Sequence, residues 1–364
     1  MTFKFSFVMC LLLALLAGCA SGPTAVSPSA APEWVSNKNK AFPDADWLAV
    51  VAEGANTGAA ESAAMNALAR AFEVDLQSLT TANQEFTSIV SQAAGKKSVS
   101  VTQSQGFGQE VTTNTNVSGL LGVQTDSWTA ANGTVYVVAR MNRRECAARY
   151  HAMMKENERN VVNLIAQAGR VPGTFDAYAG LSFAARIATV NDNFQSIAHV
   201  LSPSQDSRFS YGNADAVRTL AQRTAASITI GIAVTGDVGG RVAKAFGSFF
   251  SDRGFKTGGT GNAPFTLSST LTLEESDFGP GQTTVFINYT LDAMVSARGG
   301  SEVFTYSGSG RKGHATMQQT RQLVLRTAET SITDADEEDG FATAFDGFLS
   351  SLLSGNTGRM ACIK

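Results

Sequence analysis

Alternating apolar and polar residues predict an antiparallel sheet in the last third of the chain. Apolar side chains take the odd positions over 265–273 and again over 285–295, and a Gly-Pro-Gly turn at 279–281 separates the two runs. A third strand is predicted over 302–310, after Gly299-Gly300. Since each strand has one polar face, we expect a sheet that is wet on one side and covered by helices on the other.

Helical spacing predicts the elements that cover this sheet. A strand over 228–234 leads into a helix with apolar residues three and four positions apart, namely Val242, Ala245, Phe246, Phe249 and Phe250. Two further helices follow the last strand, and the second carries the stripe Phe341, Phe345, Phe348, Leu349 and Leu352. Residues 227–354 are therefore predicted to form a C-terminal α+β domain, with 355–364 as a tail.

The same order of strand, helix and meander is predicted near the front of the chain. A continuously apolar strand over 47–52 precedes a helix whose stripe runs from Ala64 to Leu79, and β-type alternation follows from Val99 onwards. An Asn132-Gly133 hairpin turn leads into the last strand, 135–141. Residues 33–143 are thus predicted as an N-terminal α+β domain.

Helical patterns dominate the middle of the chain, which is predicted as a connector over 144–226. Its helices are expected over 146–168, 175–200 and 213–225, the first two closed by Gly169 and by Ser202-Pro203. The predicted fold class is α+β, with two helix-covered antiparallel sheet domains joined by a helical hairpin segment.

The first residues predict an export signal over 1–18. A short cationic start is followed by an apolar run from Phe5 to Leu16, which is too short to span a bilayer. Leu16-Ala17-Gly18-Cys19 resembles the lipobox of bacterial lipoproteins, and the resemblance implies cleavage before Cys19, its diacylation and acylation of the new amino terminus. Residues 19–32 would be a lipidated tether. An ordinary signal peptide with a chance cysteine is the alternative.

Composition narrows the class of protein. Apolar residues make up 43% and charged residues 16% of the 364 residues, which is typical of a globular chain. The net charge is −3 and no basic stripe is present, so a nucleic-acid partner is not expected. With Cys10 in the signal and Cys19 lipidated, Cys146 and Cys362 could pair in an oxidising envelope. A buried free thiol at Cys146 with an unpaired Cys362 in the tail is the alternative.

No motif for catalysis, metal binding or cofactor binding is evident. His151, His199 and His314 have no acid or nucleophile at a known spacing and are interpreted as surface or capping residues. The loop 236–240 is not spaced as a phosphate loop, and Asp237 suits a helix N-cap better than a phosphate site. The acidic run 334–339 fails the calcium-loop template and is favoured by the dipole of the following helix.

A polar, β-prone stretch over 103–116 has two interpretations. It is typical of an exposed hairpin or edge strand that adds to a partner's sheet. A mobile loop is the other interpretation. Neither requires chemistry within the stretch itself.

Short motifs in residues 32–145 resemble a known family. They are Pro32-Glu33-Trp34-Val35, Phe42-Pro43, the segment 47–54 and the alanine spacing Ala60, Ala63, Ala64 and Ala67. This part resembles the bacterial outer-membrane lipoproteins typified by a twenty-kilodalton surface antigen, a family with a flagellum-associated member, although Ala52 replaces a glycine common there. By element order, the last third resembles α+β domains of envelope lipoproteins in curli secretion and of the Tol-system propeller protein.

The resemblance implies an adaptor, assembly or structural role without catalytic residues to carry over. We therefore expect a non-enzymatic protein, lipid-anchored at the outer membrane and facing the periplasm, that binds other envelope proteins or its own copies, with a link to flagella or secretion. No cofactor is expected. An accessory or pore-forming subunit of a transport system is the alternative, and a wall hydrolase is a third class.

Overall fold

The computed structural model describes residues 30–71, 120–203, 208–275 and 283–360, without the side chains of 354–360. These residues form α-helices packed on two β-sheets, so the predicted α+β fold class is confirmed. Several predictions lie outside the described residues: the signal peptide, Cys19, the stretch 103–116, the turn 279–281 and Cys362.

The N-terminal sheet is antiparallel and has the strand order β1-β3-β2. Its strands are β1 (Trp47–Gly54), β2 (Gln124–Thr129) and β3 (Val135–Asn142). The short helices α1 (Glu33–Ser36) and α2 (Lys38–Ala41) precede it, and α3 (Thr57–Arg70) follows β1. Gly54 permits the turn into α3, because a Cβ at this position would lie 2.5 Å from the Ala60 nitrogen.

Three long helices form the middle of the chain: α4 (Arg143–Ala168), α5 (Phe175–Leu201) and α6 (Ala214–Ser227). Each begins at a polar cap, since the side chains of Asn142, Thr174 and Asn213 accept first-turn N–H groups. These helices lie close to the predicted bounds. The boundaries of the predicted domains, 143, 226 and 354, stay predictions.

A buried polar network fixes how α4 packs on α5. Asn157 Nδ2 donates to Asn191 Oδ1 at 2.9 Å, and Asn191 Nδ2 donates to the Met154 carbonyl at 3.0 Å and to Tyr211 Oη at 3.1 Å. Because these amides are buried, a slip of one helix along the other would leave them without partners. The network therefore specifies one register.

The C-terminal sheet has five strands in the order β5-β4-β6-β7-β8. The strands are β4 (Thr229–Thr235), β5 (Lys256–Gly258), β6 (Phe265–Glu275), β7 (Val285–Ala297) and β8 (Glu302–His314). β6, β7 and β8 pair antiparallel as predicted, whereas β4 runs parallel to both β5 and β6. The helix α7 (Arg241–Asp252) returns the chain to the end of the sheet where β4 began, which makes β5 parallel to β4, and residues 259–264 return it again before β6.

Two more helices, α8 (Met317–Thr333) and α9 (Phe341–Met360), complete the cover of this sheet. Its core is rich in phenylalanine, and Phe345 lies at the centre, fully buried. The Phe345 ring lies 5.4–5.7 Å, between centroids, from the rings of Phe175, Phe249, Phe250 and Phe304. All four pairs meet edge to face, the arrangement that aromatic quadrupoles favour.

The helix α5 contributes to both cores. Phe175, its first residue, packs among the phenylalanines of the C-terminal core. Phe194, Ile197 and Leu201, near its other end, pack against the N-terminal sheet together with α3 and α4. The segment predicted as a connector therefore shares a hydrophobic core with each sheet.

Cys146, in the first turn of α4, is buried in the N-terminal core. Its Sγ lies 3.7 Å from the Gly122 carbonyl oxygen. Burial raises the pKa of this thiol to about 11. The thiol therefore stays protonated until the pH approaches that value, and it is a poor nucleophile at neutral pH.

Replacing Phe345 with alanine should lower the free energy of unfolding by about 3–5 kcal/mol, because a cavity opens among packed rings. Val238→Ala is the control, since Val238 is 84% exposed; we expect it to change stability by about 0.5 kcal/mol or less. Urea unfolding followed by circular dichroism measures both. A Phe345→Ala protein as stable as the control would contradict this account of the core.

Maleimide labelling at pH 8 tests the state of Cys146. In a Cys362→Ser protein we expect labelling of the folded chain to be about a hundredfold slower than in urea, because burial both shields the thiol and keeps it protonated. Equal rates in the two conditions would rule this out.

A thiol count in urea without reductant tests whether Cys146 and Cys362 form a disulfide in the unaltered mature chain. Two reactive thiols are expected if both cysteines are free, and none if they are paired.

Candidate functional site

The outer face of the C-terminal sheet is a surface that the described helices leave uncovered. Along β6, β7 and β8 most apolar residues point toward α7, α8 and α9 and most polar ones point outward, with Met294 on the outer face and the buried Ser269 as exceptions. Hydroxyl groups dominate the outer positions, which include Thr266, Ser268, Thr270, Thr272, Thr290, Ser296, Thr305, Ser307 and Ser309. The face is thus polar but carries few charges.

The pairing register brings these residues into rows across the sheet. Thr270 lies opposite Asp292, which lies opposite Ser307, and the Asp292 carboxylate accepts a hydrogen bond from Ser307 Oγ at 2.6 Å. In the next row Met294, which is 37% exposed, lies between Ser268 and Thr305. The two rows line a shallow open depression. Hydroxyls, one carboxylate and one thioether suit contact with another protein better than a reaction.

The strand β8 forms one edge of this sheet. It pairs with β7 on one side, and in the sheet as described no strand pairs with its other side. An edge of thirteen residues presents N–H and C=O groups to which an incoming strand can bond. Tyr306 anchors β8 to the helices, since its hydroxyl lies 2.9 Å from Ser331 Oγ and donates to the Asp339 carbonyl at 3.1 Å.

The loop 236–240 acts as a helix cap, as predicted for Asp237, although Gly240 occupies the N-cap position. Asp237 Oδ2 accepts a hydrogen bond from the Ala243 N–H at 2.9 Å. The first residue of α7, Arg241, binds Glu329 of α8 through two hydrogen bonds of 2.7 and 2.5 Å. Glu329 raises the pKa of Arg241 through these bonds. The Arg241–Glu329 ion pair thus joins the start of α7 to α8.

The remaining polar residues singled out by sequence lie on separate elements. His151 is in α4, His199 is in the last turn of α5, and His314 ends β8, where its Nδ1 accepts the Ala315 N–H at 2.8 Å. The acidic run 334–339 forms the turn between α8 and α9. Within the described ranges, no group of three or more histidine, cysteine, aspartate or glutamate side chains is placed to hold a metal ion.

Two features escaped the sequence analysis. The first is the Asn157–Asn191 pair. In the sequence it is visible only as one amide residue on the otherwise apolar stripe of each helix. The second is a group of arginines, Arg186, Arg218 and Arg253, that are distant in sequence but line one concavity. No sequence spacing could have revealed this group, because it depends on how three elements pack.

None of the described helices is long and apolar enough to cross a membrane.

Comparison with protein-family models gives no match, and comparison with curated proteins gives none either. Several solved structures are similar to this chain over part or most of its length. A minor lipoprotein from Acinetobacter baumannii is 12% identical, over 35% of this chain and 94% of its own, with a TM-score of 0.23. Rare lipoprotein B from Shewanella oneidensis is 12% identical, over 36% of this chain and 98% of its own, with a TM-score of 0.24.

A longer match is a secreted protein from Helicobacter pylori, which is 10% identical over 79% of this chain and 96% of its own, with a TM-score of 0.39. These identities and scores are too low to establish a shared fold or a shared role. The role of this chain must therefore be argued from its own residues.

Proposed function

We propose that this chain is a lipid-anchored bacterial envelope protein that acts as a structural, assembly or adaptor component. The observation that carries the proposal is Leu16-Ala17-Gly18-Cys19, placed directly after an apolar export signal. Acyl chains on Cys19 would hold the protein on a membrane, since each buried methylene contributes about 0.8 kcal/mol. The tether 19–32 would separate the folded body from the lipid.

The described surfaces support a binding role for this body. The hydroxyl-rich outer face and the β8 edge are adjacent, so a partner could contact side chains on the face and pair with the edge strand. Because the face has few charges and many small side chains, another protein could approach it with little desolvation of charge. The proposed partners are other envelope proteins or a second copy of the chain.

The proposed membrane, the proposed orientation and the proposed link to flagella or secretion rest on the sequence alone. Ala20, rather than an aspartate, follows Cys19, which favours the outer membrane with the body facing the periplasm. A link to flagella or secretion follows from the family resemblance of residues 32–145. The proposed role needs no catalytic residues or cofactor.

Metabolic labelling with an alkyne palmitate analogue tests the anchor. We expect label on the unaltered protein and none on Cys19→Ser, because the thiol that receives the lipid is gone. Cys10→Ser is the matched control and should keep the label, since Cys10 leaves with the signal. Label that persists in Cys19→Ser, or its absence from the unaltered protein, would refute the lipoprotein assignment.

Replacing residues 1–19 with a secretory signal that lacks cysteine separates the anchor from the alternative role. Release of this protein into the soluble periplasm is expected if lipid alone holds it. A body that stays resistant to extraction would instead favour a pore-forming or accessory transport subunit.

Photo-crosslinking in intact cells tests the docking surface. A photoreactive amino acid at Ser307, on the outer face, should give discrete adducts with another envelope protein or with the chain itself, because a bound partner would cover this position. The control position is Asp336, exposed in the turn between α8 and α9. Equal adducts from both positions, or none from Ser307, would contradict binding at this face.

A further inference from the structure

A small concavity lies where α5, α6 and the end of α7 meet. Its volume is about 240 Å³, and it opens to solvent. Ala185 of α5 and Ala221 of α6 lie in its wall, and their short side chains leave space between the two helices. The space is too small for a drug-sized ligand and suits a single compact chemical group.

Three arginines line this concavity. Arg186 projects from α5, Arg218 from α6, and Arg253 from the turn that follows α7. Hydroxyl and amide groups complete the lining: Tyr178, Ser182, Thr189 and Gln222. Guanidinium groups offer planar arrays of N–H donors, which match the oxygens of phosphate and carboxylate.

Two of the arginines are held in place by other groups. Arg253 binds Asp346 with contacts of 2.9 and 3.4 Å, and its guanidinium lies 3.8 Å from the centre of the Phe249 ring. Its side chain is only 22% exposed. Arg218 forms an ion pair with Asp215, one turn earlier on α6. Each guanidinium has five N–H donors, so donors remain for a ligand after these contacts.

Arg186 differs from the other two. In the described part of the chain, no carboxylate lies within ion-pair distance of it, and it is exposed at the mouth of the concavity. Asp215 and Asp346 pair with Arg218 and Arg253, and Asp192 also interacts with Arg218, so Arg186 is the arginine of this group that the described carboxylates leave unpaired. Tyr178, whose ring packs edge to face on Phe255 at 4.8 Å, gives the concavity a rigid side.

We infer that this concavity binds a phosphate group. A phosphate monoester has close to two negative charges and several acceptor oxygens. Three arginines and the surrounding hydroxyls can together attract this charge and donate hydrogen bonds to these oxygens. A carboxylate has one charge and two oxygens, for which a single arginine suffices. The phosphate could belong to a soluble ester or to a phosphorylated lipid head group. This inference does not depend on the proposed adaptor role.

Equilibrium dialysis of radiolabelled inorganic phosphate against the full mature protein, in neutral detergent at low ionic strength, tests the site. We expect saturable binding that weakens about tenfold in Arg186→Gln and in Arg218→Gln, because each removes charge-assisted hydrogen bonds. Arg223→Gln is the matched control, an exposed arginine of α6 outside the concavity, and it should bind as the unaltered chain does. Circular dichroism verifies that each variant is folded.

Absence of saturable binding at millimolar phosphate, or equal weakening by Arg223→Gln, would overturn the inference. Competition then distinguishes the two sources of phosphate. Glycerol 3-phosphate and a short-chain phosphatidic acid carry the same phosphate monoester. Equal displacement of the radiolabel by the two indicates a soluble ester, whereas stronger displacement by the phosphatidic acid indicates a lipid head group.

Discussion

Burial of the helix α5 is the constraint on which the rest of the structure depends. Fifteen of its 27 residues are buried, which is more than one helix face can supply against a single neighbour. The helix must therefore be covered on several sides, by α4 and α6 along its length and by a sheet at each end. Phe175 at one end and Phe194 near the other anchor it in two different cores. The two sheets are thus linked through shared apolar packing rather than by a flexible linker alone.

Much of the local structure could be predicted from sequence, because it depends on neighbouring residues. The alternation around Leu267 and Leu271 fixed which face of β6 would be buried, and Gly169 with Pro172 marked the end of α4. The direction of β4 could not be predicted in this way, since periodicity reveals which face is buried but not which strand is the neighbour. The convergence of Arg186, Arg218 and Arg253 could not be predicted either, because it depends on tertiary packing.

The candidate sites differ in how they arise. The hydroxyl-rich face follows directly from the period of two in β6, β7 and β8, so it can be predicted from the local sequence. The arginine concavity arises because Ala185 and Ala221 leave room between α5 and α6. One surface is broad and suits a protein, whereas the other is small and suits a single anionic group. Both lie on a body that the proposed lipid anchor would hold close to a membrane.

The intact mass of the protein isolated from membranes tests the central claim most directly. A chain that begins at Cys19 and carries the added mass of a diacylglyceryl group and a third acyl chain is the expected result, because the proposed lipobox ending at Cys19 would direct both cleavage and acylation. A mature chain that begins at another residue, or that begins at Cys19 without added lipid mass, would contradict the account of this protein as a membrane-tethered binding platform.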